Sequence, residues 1–321
     1  MELQERTPLN IFVTAADSSF GLALTRALTA AGHKVSGLAA TFNGASGVRA
    51  AGGVPVFADI TRASEVRAVM GMSKVDVVIH AAPAEFIDAP FSRVNFDADG
   101  LIAGIDALTA AAKAVGAKYF IYLGGAYIYG DQAGHMVTEE SKINAETALQ
   151  KTAQRAERAV MRSDVPYAIL RLGYIFGADS PGLRALEQVM RRGLPVPVDE
   201  AVVNWVHAHD AAEAVRRVAE GRPANEIFNV ADDVPQSTVD FLDAFSTVIG
   251  LPSPKKSLQF LARAGLSAEQ IAAMQFGAQI NTNKIFDALG WTPQFATRRQ
   301  GLEQVTLTWR AAEAAPTAAE E

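Results

Sequence analysis

A stretch near the amino terminus decides the fold, and it reads Leu9-Asn10-Ile11-Phe12-Val13-Thr14-Ala15-Ala16-Asp17-Ser18-Ser19-Phe20-Gly21. Its apolar first half predicts a buried strand, and the helix-period residues that continue to Gly32 predict a helix. A strand, a tight turn and a helix in this order begin a βαβ unit of the dinucleotide-binding type, whose three turn glycines permit the bend, the approach of a pyrophosphate and close helix packing. Ala15 and Ser18 stand at the first two of these positions and Gly21 at the third. The sequence therefore retains the glycine that the packing of helix on strand requires, but not the two glycines that permit the bend and the approach of a pyrophosphate.

The composition describes an ordinary folded protein. Its 321 residues are 49% hydrophobic and 20% charged, which is enough for one large α/β unit with a smaller subdomain. The net charge of -6 and the scattered basic residues argue against nucleic acid as a partner. The lack of cysteine excludes disulfide and thiolate chemistry. Residues 1–6 lack the features of a signal peptide, and no apolar stretch reaches the roughly 20 residues that span a bilayer, so we expect a cytoplasmic protein without a membrane span.

Short β-rich runs alternate with helical segments as far as Arg171. The predicted strands lie near 9–14, 34–38, 54–57, 75–80, 118–123 and 166–171, and the predicted helices begin near Ser18, Ala63, Asn95 and Glu146. Such alternation predicts right-handed βαβ crossovers that build a doubly wound parallel sheet, which is a Rossmann-like α/β fold. A further strand over 226–230 is expected to return to the sheet.

Glycine and proline turns interrupt this alternation beyond Arg171 and suggest an inserted cap. We therefore predict a dinucleotide-binding domain of residues 1–171 plus about 206–231. The remaining residues, 172–205 plus 232–310, are predicted to form a smaller C-terminal α/β cap subdomain. The low-complexity end, 311–321, is expected to be a flexible tail.

Several landmarks follow one another in the order and spacing of one family. They are Ala58-Asp59-Ile60-Thr61, Val78-Ile79-His80-Ala81-Ala82, Asn95, Gly124-Gly125-Ala126-Tyr127-Ile128-Tyr129-Gly130, Trp205-Val206-His207 with Asp210, and Leu289-Gly290-Trp291-Thr292-Pro293. With them the chain, from about residue 8 to 309, resembles the extended short-chain dehydrogenase/reductase family of the NAD-dependent epimerase/dehydratase type. The resemblance implies that a nicotinamide dinucleotide would contact Ala15, Ser18, Ser19, Phe20, Gly21, Asp59, Ile60, Ala81, Ala82 and Asn95.

The catalytic positions implied by the resemblance carry residues without the necessary groups. The family's chemistry uses a Ser or Thr, a Tyr and a Lys to exchange a proton with the substrate. Gly125 stands at the hydroxyl position, and counting without gaps places Leu149 at the tyrosine position and Ala153 at the lysine position. A shifted alternative offers Thr147 and Lys151, but threonine has no phenol. The catalytic triad is therefore absent from the sequence.

Other polar residues near the expected site give weaker candidates. Tyr127 and Tyr129 are phenols at the right place, but Tyr129 fits a packing position and Tyr127 could face solvent. His80 ends a buried strand and is more typical of a core histidine than of a pocket ligand. His207 and His209 are followed by no further ligand with metal-site spacing, so we expect no metal.

The expected cofactor site is incomplete as well. The residues after the second strand, Val35-Ser36-Gly37-Leu38-Ala39-Ala40, contain neither an acid for a ribose 2′-OH nor an arginine for a 2′-phosphate. Asp17 adds a carboxylate to the turn that should receive the pyrophosphate, although the N–H groups at a helix N-terminus still favour an anion. We expect NAD or NADP to bind weakly or not at all, and the residues leave the choice between the two open.

Three functional hypotheses follow. The first is a non-catalytic family member with a degenerate active site, which acts as a sensor or as an accessory subunit with a protein partner in a larger assembly. The second is an NAD(P)-dependent oxidoreductase or epimerase that uses relocated catalytic residues on a sugar nucleotide or another small polar substrate. Val203 argues against a sugar nucleotide, because the resemblance implies an arginine there that grips the substrate diphosphate. The third is a partner-binding scaffold without a small-molecule ligand.

Overall fold

The computed structural model of this protein describes residues 7–84, 87, 97–197, 202–254, 256–257 and 277–314. The strands in these residues are, in chain order, β1 (Asn10–Val13), β2 (Lys34–Leu38), β3 (Val54–Val56), β4 (Val77–His80), β5 (Tyr119–Gly125), β6 (Met136–Val137), β7 (Tyr167–Leu172), β8 (Tyr174–Phe176), β9 (Val196–Pro197), β10 (Val202–Val203), β11 (Trp205–His207), β12 (Glu226–Val230), β13 (Gln236–Ser237), β14 (Lys256–Ser257) and β15 (Gln279–Ile280). The α-helices are α1 (Ser19–Ala30), α2 (Phe42–Ala50), α3 (Ala63–Met72), α4 (Ala98–Val115), α5 (Ala148–Met161), α6 (Pro181–Arg191), α7 (Ala208–Gly221), α8 (Thr238–Ile249), α9 (Asn283–Leu289) and α10 (Arg298–Ala314). Two 3₁₀ turns cover Ala82–Ala84 and Ala126–Tyr129.

A seven-stranded parallel sheet with the order β12-β7-β5-β4-β1-β2-β3 forms the centre of the molecule. From β1 the chain winds outward through β2 and β3 on one side, and then through β4, β5, β7 and β12 on the other. The direction of winding reverses between β1 and β4, where Ile11 pairs with Val77. In open α/β sheets ligands bind outside the carboxyl ends of the strands at such a reversal. The predicted Rossmann-like α/β fold is confirmed.

Helices cover both faces of this sheet, and this explains why its central strands are apolar throughout. Every residue of β4, β5 and β7 is buried. Residues of α1, α2 and α7 pack on one face, where Leu24, Val48 and Val215 belong to a single core. Residues of α3 and α4 pack on the other face. The helix α5 contributes to both cores, because Leu149 belongs to the first and Val160 to the second.

The strand predictions match the sheet closely, whereas the helix predictions miss α2 among the helices before β7 and give none of the helices α6 to α10 individually. All seven predicted strands are present within about three residues of their predicted ends. The helix α2 was not predicted because Gly44 and Gly47 weaken its pattern. It begins after Thr41, whose Oγ1 accepts the backbone N–H of Gly44 at 2.9 Å. The helix predicted to begin near Asn95 is described from Ala98 onward, and Asn95 lies outside the described residues.

Among the residues described, four short strand pairs lie outside the central sheet. The pairs are β8 with β11, β9 with β14, β6 with β15, and β10 with β13. The helix α10 continues to Ala314, so the first four residues of the predicted tail are helical. The predicted division into two domains stays a prediction. Within the described residues, no helix combines the length and apolar character needed to cross a bilayer.

Candidate functional site

The turn between β1 and α1 keeps the backbone of a glycine turn without its first two glycines. Ala15 has φ of 48°, a left-handed conformation that an alanine rarely adopts. Ser18 caps α1, because its Oγ accepts the Gly21 N–H at 3.0 Å and donates to the Ala15 carbonyl at 2.9 Å. A Cβ at position 21 would overlap that same carbonyl oxygen, so Gly21 is required for close packing. The serine hydroxyl therefore satisfies an N–H that an anion could otherwise bind.

The other residues predicted to line this turn differ in their exposure. Ser19 is half-buried and begins α1, whereas the Phe20 side chain is only 1% exposed and belongs to the core. Phe20 could therefore contact a ligand only through its backbone.

The Asp17 side chain does not lie where the sequence predicted. Its Oδ2 accepts the Ala40 backbone N–H at 2.8 Å, just after β2. A Cβ at Gly44, in the first turn of α2, would overlap the same carboxylate. The carboxylate therefore lies against the connection between β2 and α2 and not over the N-terminus of α1. This corrects the expectation that Asp17 places its charge in the pyrophosphate turn.

The carboxyl ends of β1 and β4 meet at a buried threonine and histidine. The Oγ1 atom of Thr14 accepts the N–H of Ala81 at 2.9 Å and that of Ala82 at 3.3 Å. Its own proton is then directed to His80 Nδ1, 2.9 Å away, which leaves the imidazole proton on Nε2. Burial lowers the pKa of His80 to about 3, so the ring is neutral. His80 is a core histidine, as predicted, but its Nε2 has no hydrogen-bond partner in the described part of the chain.

Two further predicted cofactor residues lie in the connection that follows β3. Asp59 is exposed, and its Oδ1 accepts the hydroxyl and the backbone N–H of Thr61 at 2.7 and 2.9 Å. These two hydrogen bonds hold the pKa of Asp59 below its usual range. The Ile60 side chain packs against Gly104 of α4. Asp59 is therefore accessible to a ligand, whereas the Ile60 side chain serves the core.

An exposed aromatic pair lies beside these residues and was missed by the sequence analysis. Phe42 follows β2 and Phe57 follows β3, and their ring centroids are 5.2 Å apart at an interplanar angle of 49°. Phe42 is 85% exposed and Phe57 is 44% exposed. Both could have been noticed as large apolar residues immediately beyond strands, but the chain order does not reveal that they touch.

The residues that the resemblance places at the catalytic positions are buried, and together with Tyr127 they are here called the catalytic-position cluster (Gly125, Tyr127, Leu149 and Ala153). Leu149 and Ala153 are 2% and 4% exposed. A Cβ at Gly125 would overlap the Tyr127 ring, so the phenol fills the space that a side chain at position 125 would need. Tyr127 is only 3% exposed, so the alternative that it faces solvent is wrong. Burial, assisted by the nearby Glu157 carboxylate, raises the pKa of the Tyr127 phenol above its usual value.

The shifted pair of catalytic residues is not supported by its geometry. Thr147 caps α5, and its Oγ1 accepts the Gln150 N–H at 3.2 Å within a capping box. Lys151 is exposed on the solvent side of the helix. The Thr147 side chain therefore caps the helix, and the Lys151 side chain lies on its exposed surface.

Tyr129 belongs to a buried polar network under the catalytic-position cluster. Its hydroxyl donates to Asn229 Oδ1 at 2.7 Å and accepts from Arg171 Nη1 at 2.9 Å. Arg171 also donates from Nε and Nη2 to the two oxygens of Glu157, at 2.9 and 2.7 Å. Both charged side chains are at most 5% exposed. With its hydroxyl engaged in this network, Tyr129 joins β7, α5 and β12 and fits the packing role predicted for it.

The paired histidines have structural partners. His207 Nδ1 accepts the His209 backbone N–H at 3.2 Å, and Nε2 donates to Gln304 at 3.1 Å. Burial lowers the pKa of His207 to about 4. Within the described ranges, no three His, Asp or Glu side chains are grouped to hold a metal ion. A cavity of about 550 Å³ lies here between α1, α7 and α10, and Ser19 is the predicted cofactor residue that lines it.

Comparison with solved structures gives the same fold over almost the whole chain. A human epimerase family protein with NADPH superposes with a TM-score of 0.76 at 17% identity, covering 93% of this chain and 99% of that one. UDP-glucose 4-epimerase from Thermotoga maritima, with UDP-glucose, gives 0.76 at 17% identity over 95% and 100%. dTDP-glucose 4,6-dehydratase from Bacillus anthracis, in complex with NAD, gives 0.77 at 17% identity over 95% and 97%. At these identities the likeness shows the fold.

The family assignment rests on the sequence as well. A comparison with proteins of curated function finds no significant match. The model of the NAD dependent epimerase/dehydratase family matches residues 11–231, which hold most of the landmarks and, except for Asn10, the whole central sheet. This chain therefore belongs to the NAD dependent epimerase/dehydratase family.

Proposed function

We propose that this protein binds a nicotinamide dinucleotide at the carboxyl edge of its sheet and does not catalyse the family's proton-transfer chemistry. It would then act as a sensor of the nucleotide or as an accessory subunit of a larger assembly. The observation that carries this proposal is the catalytic-position cluster, in which buried apolar side chains and a glycine stand where a proton relay would have to be.

The chemical argument concerns the supply and removal of a proton. A general acid must lie within hydrogen-bond reach of the reacting group and have a pKa near the working pH. Leu149 and Ala153 have no titratable group, and Gly125 has no hydroxyl to orient a carbonyl. The Tyr127 phenol is held protonated by its burial, and the nearby Glu157 carboxylate further disfavours its anion. The cluster therefore favours packing over proton exchange.

Dinucleotide binding is supported by the N-terminus of α1 and by the connection that follows β3. The N-terminus of α1 points its N–H groups toward the carboxyl edge, and Gly21 keeps the close contact of helix and strand that this fold uses there. Asp59 is exposed beyond β3. When bound, a nicotinamide ring supplies or accepts hydride. The residues around it here offer a binding surface, and the Ser18 cap would make phosphate binding weaker than in a turn with three glycines.

The test combines binding with turnover. We expect calorimetry to detect binding of NAD or NADP to the full chain, and a screen of sugar nucleotides and simple carbonyl compounds with both cofactors to show no turnover at ordinary enzyme rates of about 1 to 1,000 per second. Binding without turnover would support the proposal. Turnover at those rates, or no binding of either nucleotide, would contradict it.

A second candidate, an oxidoreductase or epimerase with a relocated acid, is favoured by one observation. Tyr127 places a phenol directly over the position of the missing hydroxyl residue. If Tyr127 were the acid, Tyr127→Phe would abolish any turnover found in the screen while leaving nucleotide affinity unchanged. Activity that survives this substitution would exclude Tyr127 as the acid.

A further inference from the structure

We propose that Asp17, Phe42 and Phe57 form the site for the adenosine half of the dinucleotide, and that this site selects NAD over NADP. The three residues are called the adenosine-end surface. The inference rests on the proposed function, since it assumes that a dinucleotide binds. It goes further by assigning the residues that choose the cofactor, although the stretch after β2 contains neither of the side chains that ordinarily make this choice.

Asp17 brings a carboxylate to the end of β2 from a different part of the chain. In dinucleotide-binding folds an acid at the end of the second strand accepts hydrogen bonds from the adenosine ribose. Here residues 35–40 lack such an acid. The Asp17 side chain crosses from the β1–α1 turn and is fixed there by the Ala40 N–H at 2.8 Å. Because that contact uses Oδ2, the other oxygen can accept a ribose hydroxyl.

The charge around this carboxylate disfavours a 2′-phosphate. The connection from Leu38 to Gly44 contains no lysine or arginine. Arg62, in the connection after β3, is already paired with Asp59 at 3.3 Å and with Glu65 at 3.0 Å. A 2′-phosphate placed at the end of β2 would therefore meet a carboxylate without a free cation near it in the sequence, whereas a 2′-hydroxyl would meet an acceptor.

The aromatic pair gives the same surface a place for a planar base. Phe42 belongs to the connection that Asp17 holds, and its ring is 85% exposed while it contacts Phe57. Large aromatic rings left in water beside a polar site are typical of ligand contacts, because a base can stack on an aromatic face. Asp59 lies two residues beyond Phe57, so an acceptor for a base amino group is close in the chain. The chemistry of this surface fits an adenosine with a free 2′-hydroxyl.

The test measures the affinities of the full chain for NAD, NADP, ADP-ribose and nicotinamide mononucleotide by calorimetry. We expect the unmodified protein to bind NAD about tenfold or more tighter than NADP. Asp17→Asn keeps an acceptor for the Ala40 N–H but removes the charge, so the ratio of the two affinities should fall about tenfold. Asp287→Asn changes an exposed acid on α9 and should leave the ratio unchanged.

The aromatic part is tested with ligands that contain or lack adenine. Phe42→Ala should weaken NAD and ADP-ribose about tenfold and leave nicotinamide mononucleotide unchanged. Phe286→Ala, which removes a 53% exposed phenylalanine on α9, is the matched control and should change neither. Thermal unfolding of each variant checks that it is folded.

The outcomes separate the two proposals. Binding of NAD with a ratio that Asp17→Asn does not change, a preference for NADP, or a Phe42→Ala effect that is equal for nicotinamide mononucleotide would overturn this inference alone. If the unmodified protein binds no nucleotide at all, the proposed function and this inference both fall.

Discussion

The adenosine-end surface and the catalytic-position cluster lie at the same carboxyl edge of one sheet but are built in opposite ways. At one end Phe42 is 85% exposed and Asp17 is fixed by a backbone N–H. At the other end Tyr127 is 3% exposed and fills the space above Gly125. The first region keeps apolar rings and a carboxylate in contact with solvent, which is unfavourable unless a ligand covers the rings. The second uses apolar packing that stabilises the fold without a ligand. The contrast is the one that the proposed function requires, with an accessible surface at one end of the edge and buried packing at the other.

The largest expected effect concerns the buried ion pair between Arg171 and Glu157. Glu157→Gln leaves the Arg171 guanidinium buried without its carboxylate, and we expect the free energy of unfolding to fall by about 3–5 kcal/mol. Urea denaturation followed by circular dichroism measures it. Asp164→Asn, which breaks the exposed pair with Lys113, is the control and should cause no measurable change. Equal losses in the two variants would show that the buried Arg171–Glu157 pair stabilises the fold no more than an exposed ion pair does.

A smaller effect is expected where the phenol replaces a side chain. Gly125→Ser forces a Cβ into the Tyr127 ring and should lower the free energy of unfolding by about 1–3 kcal/mol. With Tyr127→Ala in the same chain that space is free, so the added cost of the serine should largely vanish. A double-mutant cycle measured by urea denaturation gives the coupling, expected at about 1 kcal/mol or more. Additive effects would mean that the ring and position 125 do not compete for space.

The pH dependence of stability tests the histidine between the two regions. His80 has a pKa of about 3 when folded and about 6.5 when unfolded, so the unfolded chain binds the proton first as the pH falls. Its contribution is fully present above pH 6.5 and decreases as the pH drops toward 3, by about 1 kcal/mol between pH 7 and 5.5. His207 contributes with the same sign, because its folded pKa of about 4 is also lowered. His80→Gln should therefore flatten the profile without removing it.

Urea titrations at several pH values measure this slope. His135→Gln changes an exposed histidine and should leave the profile as it is. A His80→Gln profile that is as steep as that of the unmodified protein would contradict burial of a neutral imidazole at the end of β4.

The smallest effect concerns the β1–α1 turn. Ala15→Gly relieves a left-handed alanine and should stabilise the protein by about 0.5–1 kcal/mol. Combined with Ser18→Gly, which removes the hydroxyl from the Gly21 N–H, it should also tighten dinucleotide binding several-fold in calorimetry. Unchanged affinity in the double variant would show that the turn is not what weakens the phosphate site.

The sequence predicted the sheet well and the side-chain geometry of the site poorly. Strands such as β4 are visible because an uninterrupted apolar run suits a strand that is covered on both faces. The helix α2 was hidden by its glycines, and Phe42 at its start was overlooked with it. Tyr127 was open to two interpretations, because a local motif does not reveal which way a side chain points after a strand.

By itself, the sequence determined that this chain builds a doubly wound α/β sheet, and it predicted residues without a proton relay at the positions that the resemblance assigns to catalysis. Both follow from residue type and spacing, which are local properties of the chain. Only the tertiary structure decided that Asp17 reaches the end of β2, that Phe42 meets Phe57, and that the Tyr127 ring covers Gly125. The first two contacts join residues from separate strand–helix connections. The third depends on how the turn after β5 packs against the core. Each is fixed by the packing of the whole sheet and not by any short stretch of the sequence.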